Sequence, residues 1–133
     1  MERKIKIIIL AVLAVLVVGA VGGTIYLHQV NGYKEKVRAI EIGTVNLDNV
    51  KDGEYRGSCN VDFIEAQVLV KVKAHKIDKI DILKHKNGKG KPAEAIVDKV
   101  IDKQSLQVDA ISGATNSSKV ILKAIEDALN KGK

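Results

Sequence analysis

Cysteine and aromatic residues are scarce in this chain, and both shortages narrow what it can be. Cys59 is the single cysteine among 133 residues, which excludes an intramolecular disulfide framework and a zinc cluster built on several thiolates. Tryptophan is absent and aromatics make up 3% of the sequence, so any core must consist of Val, Ile, Leu and Ala. The formal net charge is +6. Without stacking aromatics or a recognition motif, however, this charge does not predict nucleic-acid binding.

Two further kinds of site are not supported by the spacing of the reactive residues. No group of His, Cys and carboxylate residues has the spacing of metal ligands, and no Ser–His–Asp order indicates a hydrolase. We therefore predict neither a metal site nor catalytic residues in the chain.

Charge is missing altogether from residues 7–27, which are mostly aliphatic. As a helix rising about 1.5 Å per residue, this run would span about 30 Å, the thickness of the hydrocarbon core of a bilayer. A cleaved signal peptide would have a shorter apolar region, of about 7–15 residues, and a small-residue cleavage site. We therefore predict an uncleaved N-terminal membrane anchor over residues 1–32. Arg3, Lys4 and Lys6 precede the run and favour a cytoplasmic N-terminus, although basic residues also follow it.

Residues 33–48 are predicted to form a stalk between the anchor and a folded domain. Residues 34–42 have helix-forming composition and could extend the anchor helix, which Gly43 and Thr44 would then end. We interpret this segment as a spacer.

The hydrophobic pattern of residues 49–133 predicts one small α+β domain. Alternating apolar residues indicate strands over parts of 54–64, 67–74 and 77–84, and apolar stripes indicate helices near 92–104 and 117–130. A sheet of about three strands with two packed helices would bury these stripes. The residues expected in the core are Val70, Val72, Ile80, Ile82, Val97, Val100, Ile121 and Ile125.

A turn of small and hydroxyl-bearing residues, 109–118, comes directly before the last predicted helix. Asn116 or Ser117 can cap that helix, and its first N–H groups, which lack partners within the helix, favour a bound phosphate or carboxylate. A capped turn without any ligand explains the same residues. The residues alone leave both interpretations open.

The turn also carries a motif. The segment Asp109-Ala110-Ile111-Ser112-Gly113-Ala114-Thr115 resembles the flavinylation motif of the FMN-binding domain family, which is Asp, two variable residues, Ser or Thr, Gly, Ala, Thr. That family includes the C subunit of the sodium-translocating NADH:quinone reductase and the G subunit of the Rnf complex. Asp52, Gly53, Tyr55 and Gly57 resemble the opening of the family's domain. Residues 85–91 resemble its strand exit, where a His, here His85, often stands and a glycine-rich loop approaches the flavin. The Asp-Gly-Lys-Ile that usually joins the next two strands is replaced by Ala74-His75-Lys76-Ile77.

This resemblance implies covalent FMN and a role in electron transfer. An FAD-dependent flavin transferase would attach FMN through its phosphate to Thr115, with Ser117 as the rival acceptor. Gly113 and Ala114 would permit close approach, while Ser112 and Asp109 would shape the turn and be read by the transferase. The protein would span the membrane once, hold its domain outside the cytoplasm and relay electrons between membrane or extracytoplasmic redox proteins. It would be a carrier rather than an enzyme with its own substrate. The alternative is a non-redox envelope module, binding or structural, in which the Ser-Gly-Ala-Thr turn only caps a helix.

Overall fold

A computed structural model describes residues 1–87 and 90–133, and the chain forms two compact units, Met1–Lys34 and Glu35–Lys133. Helix α1, Glu2–Arg38, makes up the first unit and ends in the second. Its apolar side chains between Ile5 and Leu27 are exposed. The helix is long and apolar enough to cross a membrane, which makes it a candidate membrane span. The predicted boundaries of anchor, stalk and domain stay predictions.

The second unit contains a three-stranded antiparallel sheet in the order β1-β2-β3. The strands are β1, Gly53–Val61, β2, Ile64–Lys73, and β3, Lys76–Lys86. A two-residue turn joins β2 to β3, and both of its residues, Ala74 and His75, have left-handed φ angles of 51° and 59°. Turns of this kind suit the twist of a hairpin. The strands predicted over 67–74 and 77–84 are therefore confirmed and form a hairpin, although neither turn residue is the glycine that this conformation favours.

Helices cover one face of this sheet. A 3₁₀ helix, Lys91–Ala95, leads into α2, Ile96–Lys103, and the chain ends in α3, Thr115–Asn130. α3 packs on β1 and β2, while α2 packs on β3. Gly57 lets α3 approach β1, because a Cβ there would overlap the carbonyl oxygen of Ala124. The α+β architecture predicted from the sequence is confirmed.

Most of the predicted core is buried, but Ile82 and Val97 are only half-buried. Ile82 stands next to a β-bulge at Leu83, where the register passes from Gln67↔Lys84 to Val68↔Ile82. α2 spans Ile96–Lys103, and its buried positions are Ile96 and Val100, one turn apart. The predicted stripe was too wide for so short a helix, since neighbouring positions turn away from the sheet.

The segment after α1 forms hydrogen bonds with side chains of α3. The extension of the helix past the apolar run is confirmed, but its predicted end at Gly43 and Thr44 was wrong, because α1 ends at Arg38. Beyond it, the carbonyl of Glu41 accepts a hydrogen bond from Lys123 Nζ at 3.1 Å, and the N–H of Gly43 donates to Glu126 Oε2 at 3.2 Å. These backbone groups bond to side chains of α3 instead of continuing the helix.

Candidate functional site

A buried serine closes the turn that precedes α3. Ser118 Oγ donates to the carbonyl of Ala114 at 2.8 Å and accepts from the N–H of Ile111 at 3.0 Å. Ser118 has no exposed surface. Gly113 supplies the left-handed φ of 77° that the turn needs. The turn is thus held in one shape from inside the domain.

The helix begins earlier than its sequence suggested. Ala114 is its N-cap residue, no side chain caps it, and Thr115 is its first residue. The prediction that Asn116 or Ser117 caps the helix was therefore wrong, since both lie inside the first turn. The physical reason is the bond from Ser118 to Ala114, which draws the start of the helix back toward Gly113.

The hydroxyl groups of this turn differ sharply in exposure. Thr115 and Ser112 are exposed, as is Gly113 between them, whereas Ser117 is only 2% exposed. Ser117 is covered by Gly90, where an added Cβ would overlap Ser117 Oγ. Among the two acceptors that the sequence left open, Thr115 is thus accessible and Ser117 is not.

The backbone at the start of α3 favours an anion. The first bond inside the helix runs from the N–H of Ser118 to the carbonyl of Ala114, at 2.9 Å. Earlier N–H groups have no partner within the helix and lie at the positive end of its dipole. The first turn contains no acidic residue. A phosphate on Thr115 would meet this positive end, as helix N-termini commonly bind phosphate.

His85 lies at the end of β3 with its side chain 2% exposed. It pairs across the sheet with Ala66, which is fully buried, so both residues face the helices. The bulge at Leu83 produces this orientation. Without the extra residue, the alternation from Ile80 and Ile82 would turn Lys84 toward the helices instead.

The two ring nitrogens of His85 have different surroundings. Nδ1 lies 3.1 Å from Glu94 Oε1. Nε2 is buried, and none of the described residues forms a hydrogen bond with it. Asn87 supports the strand end by donating from Nδ2 to the carbonyl of His85 at 3.2 Å. The ring is therefore held at Nδ1, while Nε2 has no hydrogen-bond partner among residues 1–87 and 90–133.

Glu94 is held in turn by Lys91. The Lys91 ammonium lies 2.9 Å from Oε1 and 2.8 Å from Oε2. The hydrogen bond from Lys91 lowers the pKa of Glu94 from its ordinary value; partial burial opposes this shift, and the bond with His85 adds to it. Glu94 is consequently a carboxylate at neutral pH.

The loop between β3 and the 3₁₀ helix connects these groups to the turn. Gly90 precedes the 3₁₀ helix and contacts Ser117 in the first turn of α3. Part of the predicted glycine-rich loop, Gly88 and Lys89, lies outside the described residues. Asp109 is exposed, and its carbonyl is 3.5 Å from Lys99 Nζ on α2.

Two residues of this region had no role in the sequence analysis. Ser118 stands four residues after Ala114, the spacing at which a helical serine bonds back to a carbonyl, so its role could have been anticipated. Glu94 is nine residues from His85 along the chain. No sequence pattern pairs two residues at such a distance, and only the fold brings them together.

Comparison with known families identifies the domain to which this region belongs. A family model described as FMN-binding domain matches residues 63–130, from the β1–β2 turn to the end of α3. Neither a curated protein nor a solved structure matches the chain. The matched range contains the turn, the loop and the paired His85 and Glu94.

Proposed function

The chain belongs to the FMN-binding domain family, and we propose that it carries FMN as a phosphoester on Thr115 and relays electrons outside the cytoplasm. The observation that carries this proposal is the position of Thr115. Thr115 is an exposed residue and the first residue of α3, directly after the Ser-Gly-Ala segment. The candidate membrane span at the N-terminus supports an anchored protein.

The residues around Thr115 fit a flavin nucleotide. The start of α3 offers backbone donors to a phosphate. Gly113 leaves space beside it, since an added Cβ would meet nothing within 4 Å. His85 adds a buried ring nitrogen that no described residue satisfies. When bound, FMN supplies the electron transfer, while the protein supplies attachment, orientation and electrostatics.

The Thr115 hydroxyl is the reacting group that this chain would supply for attachment. Thr115 Oγ would form a bond to the FMN phosphorus of FAD, and the bond from that phosphorus to the bridging oxygen would break. AMP leaves, and the hydroxyl proton passes to a base of the transferase. The remaining negative charge of the phosphodiester lies near the helix N-terminus, where the dipole stabilises it. A covalent link suits a protein outside the cytoplasm, because a dissociable cofactor would be lost there by dilution.

Co-expression with an FAD-dependent flavin transferase tests the attachment. The full chain is denatured, separated by electrophoresis and examined for flavin fluorescence. We expect fluorescence from the wild-type chain and from Ser117→Ala, and none from Thr115→Ala. Thr115→Ser should restore part of the signal because it restores the hydroxyl. Fluorescence that survives Thr115→Ala, or that disappears only with Ser117→Ala, contradicts the assignment. A denatured wild-type chain without flavin would favour the non-redox module.

Orientation is a separate part of the proposal. The basic residues before the apolar run favour a cytoplasmic N-terminus, which would place residues 33–133 outside the cytoplasm. Trypsin added to intact spheroplasts should then remove the lysine-rich domain, while a cytoplasmic marker protein stays intact. Protection of the domain until the spheroplasts are lysed would reverse the orientation.

A further inference from the structure

We propose that Glu94 is a positioning residue that holds the Nδ1–H of His85, so that Nε2 accepts a hydrogen bond from a donor group of bound FMN. This inference rests on the proposed function, because it names the role of two residues in the same site. It concerns residues that lie apart in sequence and meet only in the fold: His85 at the end of β3 and Glu94 in the 3₁₀ helix.

The contact with Glu94 determines the tautomer of the imidazole. A carboxylate can only accept hydrogen bonds, so the 3.1 Å contact between Nδ1 and Oε1 favours a proton on Nδ1. The Nδ2 donor of Asn87 lies farther from Nδ1, at 3.4 Å, and is closer to the carbonyl of His85, at 3.2 Å. In a neutral imidazole the other nitrogen, Nε2, is then a bare acceptor. Lys91 contacts both carboxylate oxygens, which keeps Glu94 ionised and in place. Glu94 therefore acts on the ligand through His85.

The surroundings of Nε2 indicate that the missing partner is a ligand. The His85 side chain is 2% exposed, so bulk water does not solvate it, and no described residue bonds to Nε2. A buried acceptor without a partner is costly, and such groups are rare in folded proteins. A ligand that donates a hydrogen bond would remove this cost. FMN offers neutral donors of this kind at N3–H of its ring and at its ribityl hydroxyls.

The fold brings the segment that follows β3 into contact with the first turn of α3, the helix that begins with Thr115. The 3₁₀ helix that carries Glu94 starts after Gly90, and Gly90 contacts Ser117 two residues beyond Thr115. The bulge at Leu83 turns His85 toward the helices. The bulge and the contact with Glu94 thus both fix the orientation of the His85 ring.

The tautomer is measured first, on the full chain in detergent micelles, made without the transferase and labelled with ¹⁵N-histidine. At mildly alkaline pH the chemical shifts of the two ring nitrogens identify the protonated one. We expect the proton on Nδ1 of His85 in the wild-type chain and in Glu94→Gln, whose amide oxygen still accepts. Glu94→Ala should lose this preference. Adding FMN should shift the Nε2 resonance, and lumiflavin, which has N3–H but no ribityl chain, shows which donor is used.

Affinity is measured next, as quenching of flavin fluorescence when free FMN is added to the same chain. His85→Asn should raise Kd about three- to tenfold, and Glu94→Ala about two- to fivefold, the loss expected for one hydrogen bond. Glu94→Gln should stay near the wild-type value. His28→Asn and Glu54→Gln, which change an exposed histidine and an exposed carboxylate elsewhere, serve as matched controls and should change nothing. Thermal unfolding of each variant confirms that it is folded.

Three results would overturn this inference: a proton on Nε2 in the wild-type chain, an Nε2 resonance unmoved by FMN, or an unchanged Kd in a folded His85→Asn variant. Failure of free FMN to bind the wild-type chain would also overturn it. Covalent attachment of FMN to Thr115 is measured separately. That measurement shows whether the proposed function holds when the role of His85 and Glu94 does not.

Discussion

Ser118 offers the most direct test of how the turn before α3 is held. Replacing it with alanine removes the Oγ that donates to the carbonyl of Ala114 at 2.8 Å and accepts from the N–H of Ile111 at 3.0 Å. Both bonds are short, and the serine is fully buried. The side chain that remains fits the same space, so loss of hydrogen bonding is the main effect.

The magnitude follows from two opposing contributions. Two hydrogen bonds, each worth about 0.5–1.5 kcal/mol net, give a loss of about 1–3 kcal/mol in the free energy of unfolding. Alanine is the better helix former by roughly 0.5 kcal/mol, which offsets part of this loss. The net effect is about 0.5–2.5 kcal/mol. For a domain of this size each kcal/mol lowers the melting temperature by about 4–8 °C, so a fall of about 6–12 °C is the central expectation.

Thermal unfolding of the full chain, followed by circular dichroism in detergent, measures this loss. Ser58→Ala is the matched control because Ser58 is an exposed strand residue, and it should stay within about 0.5 kcal/mol of the wild-type chain. The fraction of chain that acquires flavin should also fall in Ser118→Ala, since the turn that presents Thr115 is loosened. A variant as stable as wild type and fully flavinylated would refute the idea that Ser118 fixes the turn.

Three further predictions concern other parts of the domain. Gly57→Ala should lower the free energy of unfolding by about 1–3 kcal/mol, measured by urea denaturation, because the new Cβ would overlap the carbonyl of Ala124 and push α3 from the sheet. Glu94→Gln should flatten the loss of stability in acid. The pKa of Glu94 is lowered in the folded state, chiefly by Lys91, so its contribution is present above its ordinary pKa of 4.5 and is lost as pH falls through the lowered value; melting temperatures across this range check it. Cys59 should react slowly with iodoacetamide until the chain is denatured, because burial raises the pKa of its thiol.

The sheet and the helices were accessible to sequence reasoning because their hydrophobic periods are strong. Alternation in β2 places Val68, Val70 and Val72 on the buried face, as observed. The bulge at Leu83 was not accessible, since one extra residue leaves no mark in an alternating pattern. Its effect is large nonetheless, because it reverses which side chains of the strand end face the helices. The burial of the His85 side chain follows from it.

The site divides in the same way. The positions of Thr115 and Ser112 on an exposed turn agree with the motif that pointed to them. Residue types alone could not decide whether Thr115 or Ser117 accepts FMN, because both are small residues with a hydroxyl group. The two residues differ in exposure because Gly90 packs against Ser117, and this contact joins segments that are far apart in the chain. The pairing of His85 with Glu94 depends on the fold for the same reason.

One measurement tests the central claim most directly: tandem mass spectrometry of the tryptic peptide 104–119 from the full chain, purified from membranes that contain the flavin transferase. This peptide holds the whole turn, and Thr115 is its only threonine. Covalent FMN on Thr115 is the predicted result. An FMN adduct on Ser112, Ser117 or Ser118, or a peptide that carries no flavin, would contradict the account.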